Sequence, residues 1–173
     1  TGVAIVGAIL MVVTGAIDFD GAVSAVNART IVLLFSMMIL VAHLRLAGAL
    51  NAAAHAVNAR VNHPAALLVL LVFASGALSA LFVNDTVCLV FTPLVLDIVA
   101  ERKLHPLPFL LALATASNIG SAATITGNPQ NMLIGSVSGI SFGRFAAVLA
   151  PVAVIGLALD AAFLCLLFRR ELR

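Results

Sequence analysis

The sequence predicts an all-α membrane protein, a helical bundle with a re-entrant hairpin and a broken transmembrane helix. Three observations carry this. The 173 residues are 63% hydrophobic and only 9% charged; a soluble domain carries roughly 25% charged residues, and so few cannot cover a water-facing surface. The apolar runs are long and rich in Leu, Val and Ala, without the short alternation of an outer-membrane barrel. Two of these runs are interrupted by polar residues, VNDT at 83–86 and SNIGSAATITGNPQN at 117–131.

Five hydrophobic stretches follow in order: Thr1–Ile17, Thr30–Leu44, Pro64–Ala100, Leu107–Gly139 and Phe145–Phe168. A helix needs about 20 residues to cross a core of about 30 Å. The first and last stretches suit simple spans. The chain opens at Thr1 inside an apolar run, which reads as a fragment lacking its natural start. The second stretch is short unless it continues into Arg45. Between the second and third, Leu46, Leu50, Val57 and Val61 share one helical face, with Asn51, His55, Asn58 and Asn62 opposite. That pattern predicts an amphipathic helix, lying in the membrane interface or packed on other protein. His43, His55 and His63 read as interface residues, because they follow no metal spacing.

The basic residues set an orientation. If the first stretch runs outward, Arg45, Arg60, Arg102, Lys103, Arg169, Arg170 and Arg173 fall inside, leaving only Arg29 and Arg144 outside. The positive-inside bias favours this arrangement, with loops 45–63, 101–106 and 169–173 cytoplasmic. The expected location is a bacterial or archaeal inner membrane. Stretch 64–100 must then leave and return as a hairpin.

The two interruptions carry the chemistry. An Asp at the centre of a membrane helix costs about 2.5–3.5 kcal/mol on insertion scales, yet Asp85 sits between Asn84 and Thr86. The arm from Val87 to Ala100 has 14 residues, about 21 Å of helix, short of a full crossing. The hairpin tip is therefore expected to end inside the membrane. In the second interruption, glycines free the backbone and Pro129 removes a donor and disfavours helix at Asn128. Unwound backbone cannot face lipid and must line a cavity, where carbonyls bind cations and helix N-termini attract anions. Two such interruptions in one chain signal a secondary transporter site. The candidate substrate ligands are Asn84, Asp85, Thr86, Asn118, Thr124, Thr126, Asn128 and Asn131.

SALFVNDTVCLVFTPL and SNIGSAATITGNPQNMLIG resemble the hairpin and unwound-helix motifs of the ion transporter superfamily. That group includes arsenite permeases, the P protein and citrate or dicarboxylate carriers. The resemblance implies one half of an inverted-repeat transporter, 1–173 being the first repeat, with hairpin 64–100 and broken helix 107–139. It implies a homodimer, a missing C-terminal repeat, and a coupling ion, H⁺ or Na⁺, held near Asn84, Asp85, Ser117, Asn118, Gly120 and Gly127. Dicarboxylate carriers show Ser-Asn-Thr where this chain has Val83, Asn84 and Asp85. A carboxylate repels an anion unless protonated, so Asp85 becomes a proton-coupling candidate and the arsenite permease and P-protein groups the nearer match.

Asp160, inside the last stretch, is either a second proton site or the partner of a polar group elsewhere in the bundle. Ser75, Ser79 and Thr92 are expected to bond backbone carbonyls within helices, and Cys88 and Cys165 to be small core residues. Asp97 and Glu101 read as a solvated end near Arg102 and Lys103. No cofactor, metal or nucleic-acid partner is expected, and no nucleophile–base constellation suggests an enzyme. The expected activity is ion-coupled, alternating-access transport of a small anion or oxyanion, citrate-like or arsenite. A sodium–proton antiporter, or a channel with a re-entrant filter, is the alternative.

Overall fold

The computed structural model describes residues 2–48 and 63–172. The predicted interfacial helix lies, over 49–62, outside the described residues. Eight described helices follow in order: α1 (Gly2–Val13), α2 (Phe19–Ser24), α3 (Ala28–Leu46), α4 (Pro64–Leu81), α5 (Asn84–Glu101), α6 (Pro106–Ser121), α7 (Pro129–Ser138) and α8 (Phe142–Leu167).

Local chemistry sets most boundaries. Pro64, Pro106 and Pro129 each stand in the first turn, where a missing N–H costs nothing. His63 Nδ1 accepts from the Ala65 N–H at 3.2 Å, and Asp18, Asn128 and Ser141 cap their helices through side-chain oxygens. Gly139, at φ 68°, ends α7 in the left-handed conformation. The second stretch does continue through Arg45, giving a 19-residue α3. The first stops at Val13, because Gly15 takes φ 72° and turns the chain out of the helix.

Helices α4, α5, α6 and α8 pack around one apolar core that includes Leu68, Val72, Phe91, Phe109, Leu113 and Leu157. α4 and α6 run parallel: Gly76 meets Gly120, and one turn on, Ala80 O accepts from the Thr124 hydroxyl. A Cβ on Gly120 would stand 2.1 Å from Gly76 O, so the two backbones touch and only glycine fits. α5 and α8 run antiparallel to α6, through Asn84 with Asn118 and through Gly156 with Ile119 and Asp160 with Thr115. The start of α4, loop 102–105 and the end of α8 therefore share one end of the bundle.

Among the described residues, α4 and α8 are long and apolar enough to cross a membrane. α8 has 26 residues, about 39 Å. Its free face is apolar, with Leu159 66% and Phe163 62% exposed, a surface suited to lipid or to another membrane helix rather than water.

The structure moves both breaks. The hairpin corner is only Phe82 and Val83; Asn84, Asp85 and Thr86 form the first turn of α5. The returning arm is thus 18 residues rather than 14, because polar side chains at a helix N-terminus favour helix there. Likewise α6 continues through Ser121, and the second interruption is non-helical only over 122–128. Ser117 and Asn118 stay helical by bonding Ala114 O at 3.1 and 3.0 Å, and Gly120 by packing on α4.

Candidate functional site

The two breaks meet. The Asn84 N–H donates to Gly127 O at 3.1 Å, and the Asn84 side-chain amide donates to Asn118 Oδ1 at 2.8 Å. The first of these joins the start of α5 to the loop after α6, and the second joins it to the last turn of α6. Thr124 pins the same loop to α4 through Ala80 O.

Segment 122–128 folds back over the end of α6. Asn131 Nδ2 reaches Thr124 O at 2.9 Å and Ser121 O at 3.3 Å, and Asn128 Nδ2 reaches Ser121 Oγ at 3.2 Å. These amides satisfy carbonyls that a helix end leaves open. Gly127 has no room for a side chain, since a Cβ there would lie 2.1 Å from Ser121 O. Two helix N-termini, of α5 and α7, therefore converge on the C-terminal end of α6. Their dipoles favour negative charge, and the facing carbonyls favour positive charge.

A cleft of about 340 Å³ opens at this junction, lined by Asn84, Asp85, Asn118, Ser121, Asn128, Pro129 and Gln130. Asp85 is exposed and is the one charged lining residue among those described; the others contribute amides, a hydroxyl and a proline ring. Of the sequence-predicted residues, Asn84, Asp85, Asn118 and Asn128 share this cleft. Thr86 is half-buried in the first turn of α5. Thr124 and Thr126 bond each other at 3.3 Å, and Asn131 holds the loop. Ser117 is buried, with its hydroxyl 2.8 Å from the Cys88 thiol. Gly120 and Gly127 sit at close backbone contacts. Asp160 lies apart on α8, where its Oδ2 accepts from the Thr115 hydroxyl at 2.9 Å.

Sequence reasoning missed Ser121 and Gln130 as lining residues, although both stand in the polar stretch. It also read Cys88 as bland core; the thiol sits one turn after Asn84 and faces Ser117, a relation hinted at only by the i, i+4 spacing. Ser75 and Thr92 bond Leu71 O and Cys88 O, each at 2.7 Å, as expected. Ser79 does not: its hydroxyl is fully buried and has no partner among the described residues. It stands beside Ala80, whose carbonyl is already taken by Thr124.

The whole chain, residues 1–173, matches the family described as citrate transporter. The chain belongs to that family. Membership makes it part of an integral membrane protein of the ion transporter superfamily. It is 38% identical over 172 residues, 99% of the chain, to a silicon efflux transporter of Oryza sativa subsp. japonica, covering 36% of that protein. It is 36% identical over 172 residues to a putative transporter, arsB, of Dictyostelium discoideum, covering 31% of it. It is 38% identical over 148 residues, 84% of the chain, to a 46 kDa membrane protein of Mycobacterium leprae, covering 34% of that protein. The chain thus spans about a third of the length of these relatives. They come from a plant, an amoeba and a bacterium, so the expected bacterial or archaeal membrane does not follow from membership. No solved structure matches the chain significantly.

Proposed function

We propose that this chain is the first repeat of an ion-coupled secondary transporter that binds a small oxyanion, or its uncharged acid, at the junction of the two breaks. The observation that carries the reading is the bond from Asn84 to Asn118 at the level of the middle of α8. Ile119 packs on Gly156, which stands about 21 Å from one end of α8 and about 17 Å from the other. The corner at Phe82 falls about 9 Å beyond that level, about 12 Å short of the end of α8. With α8 spanning the bilayer, hairpin and broken helix both end within the hydrocarbon depth, and polar backbone there needs a solute or water to face.

The lining favours the oxyanion reading over a citrate-like one. Among the described residues, the lining includes no Lys, Arg or His, and Asp85 adds negative charge. A dianion gains little from such a wall. A hydroxylated weak acid gains hydrogen bonds from the Asn84, Asn118, Asn128 and Gln130 amides while its own O–H groups donate to amide oxygens and to Asp85. The names of the relatives, one a silicon efflux transporter and one arsB, agree with this class.

Asn84, Asn118 and the carbonyls around Gly127 hold the coupling ion. Asp85 carries the proton when H⁺ is the coupling ion, and Asp160 is a second proton site. The second repeat completes the site from the other side, and two copies of the whole protein pair in the membrane with the basic loops cytoplasmic.

The test is flux by the complete protein in proteoliposomes. Arsenite, silicic acid and citrate are offered against imposed pH and sodium gradients. Gradient-driven arsenite or silicic acid flux that saturates is the expected result. Citrate flux alone would sink the substrate argument. Sodium–proton exchange without solute would favour the antiporter, and ion current far above carrier turnover a channel.

A further inference from the structure

The amides on the wall of the cleft are not equivalent. Asn84 Nδ2 donates to Asn118 Oδ1 at 2.8 Å, and Asn118 Nδ2 donates to Ala114 O at 3.0 Å. Asn128 is engaged at both ends: its Oδ1 accepts from the Asn131 N–H at 2.8 Å, and its Nδ2 donates to Ser121 Oγ at 3.2 Å. Ser121 in turn donates to Asn118 O at 2.8 Å. Gln130 differs from all of these. It is exposed in the first turn of α7 and borders the cleft. Among the described residues its side chain has no hydrogen-bond partner.

The backbone singles out the same place. In the first turn of α7, Pro129 has no N–H, the Asn131 N–H goes to Asn128 Oδ1 and the Met132 N–H to Asn128 O. That leaves the Gln130 N–H open, as helix starts leave donors open. In α5, the Asn84 N–H goes to Gly127 O, and those of Thr86 and Val87 go to Val83 O, which leaves the Asp85 N–H. Among the described residues, Asp85 and Gln130 are thus the lining residues whose side chain and N–H are both uncommitted.

We infer that Gln130 sets the solute selectivity of this junction. A primary amide donates and accepts at once, as does each O–H of an uncharged hydroxylated acid, so the two match without any net charge. The Asp85 carboxylate accepts from a further O–H and turns away an anion. Asn84, Asn118, Ser121 and Asn128 frame the space, and Gln130 reads what enters it. The inference rests on the transport reading of the cleft, which it deepens by naming the side chain that discriminates.

Substitution at 130 in the complete protein tests it, read as KM and maximal flux in proteoliposomes. Gln130→Glu keeps the shape, removes the NH2 group and adds a negative charge. Acidic residues in the first turn favour a helix, so this variant should fold at least as well as the parent. Its KM for arsenite and for silicic acid is expected to rise at least about tenfold, the scale of one or two lost hydrogen bonds, with maximal flux little changed. Gln130→Lys puts a cation in the same place, and its arsenite flux is expected to become sensitive to competing citrate, to which the parent is indifferent. An unchanged KM in Gln130→Glu, or citrate-insensitive arsenite flux in Gln130→Lys, would overturn the inference. So would a fall in maximal flux with KM unchanged, which marks a structural role. A parent protein that carries neither arsenite nor silicic acid would fault the transport reading and this inference together. Normal parent flux with indifferent variants would fault the inference alone.

Discussion

The side-chain amide of Asn84 donates to the side-chain carbonyl of Asn118 across 2.8 Å, joining the first turn of α5 to the last turn of α6. Both residues also line the cleft. Asn84→Ala and Asn118→Ala are each expected to cut flux by at least about tenfold, because a polar site that loses one partner leaves the other unpaired. The proteins should still purify as folded species, since the Asn84 N–H to Gly127 O bond survives. Full flux in both variants would remove these residues from the site.

Asp85 is the charged group of the cleft. Asp85→Asn keeps the size and hydrogen-bonding capacity but cannot carry a proton. Flux at fixed solute concentration, measured across pH with and without a proton gradient, should lose its gradient dependence. An unaltered pH profile would exclude Asp85 as the coupling group.

Gly120 is expected to be structural rather than a direct ion ligand. Its added Cβ would meet Gly76 O at 2.1 Å and Gly76 Cα at 2.4 Å. Gly120→Ala must push α4 from α6, and overpacking of this kind costs about 1–3 kcal/mol or more. Thermal unfolding in detergent should fall clearly. Normal stability with lost sodium dependence would reverse the assignment.

Ser79 buries a hydroxyl with no partner among the described residues. An unsatisfied buried group costs about 1–3 kcal/mol, so Ser79→Ala should leave stability equal or higher. If the hydroxyl meets the coupling ion, the same variant weakens the sodium dependence of flux by about tenfold, the scale of one lost polar ligand. Sodium dependence identical to the parent protein would make Ser79 a packing residue only.

Asp160 and Thr115 set up a proton-counting problem. The single Thr115 hydroxyl proton faces both Leu111 O at 2.8 Å and Asp160 Oδ2 at 2.9 Å. One hydroxyl proton serves one of these acceptors at a time, so Thr115 donates either to Asp160 Oδ2 or to Leu111 O. Asp160→Asn keeps an oxygen that accepts from Thr115 and should fold normally, and Asp160→Leu leaves that hydroxyl on Leu111 O, with stability within about 1 kcal/mol of the parent protein. Proton-driven flux should slow in Asp160→Asn if the carboxyl carries a proton during the cycle.

Composition and run length alone determined that this chain is a helical membrane protein, because 9% charged residues cannot solvate a surface. The places of interruption, 83–86 and 117–131, were equally legible, since Asn, Asp, Gly and Pro interrupt an apolar background. Their extent was not. Helix runs from Asn84 onward and through Ser121 because bonds to Ala114 O and contact with Gly76 stabilise polar and small residues that look like breakers in isolation. Nor does spacing along the chain show that Asn84 reaches Asn118, that Thr115 reaches Asp160, or that Asn131 turns inward to hold the loop while Asn128 also lines the cleft. Those pairings depend on the parallel run of α4 and α6 and the antiparallel return of α5 and α8. Only packing in three dimensions chooses that arrangement, since helical periodicity says which face a residue occupies but not which helix lies opposite it.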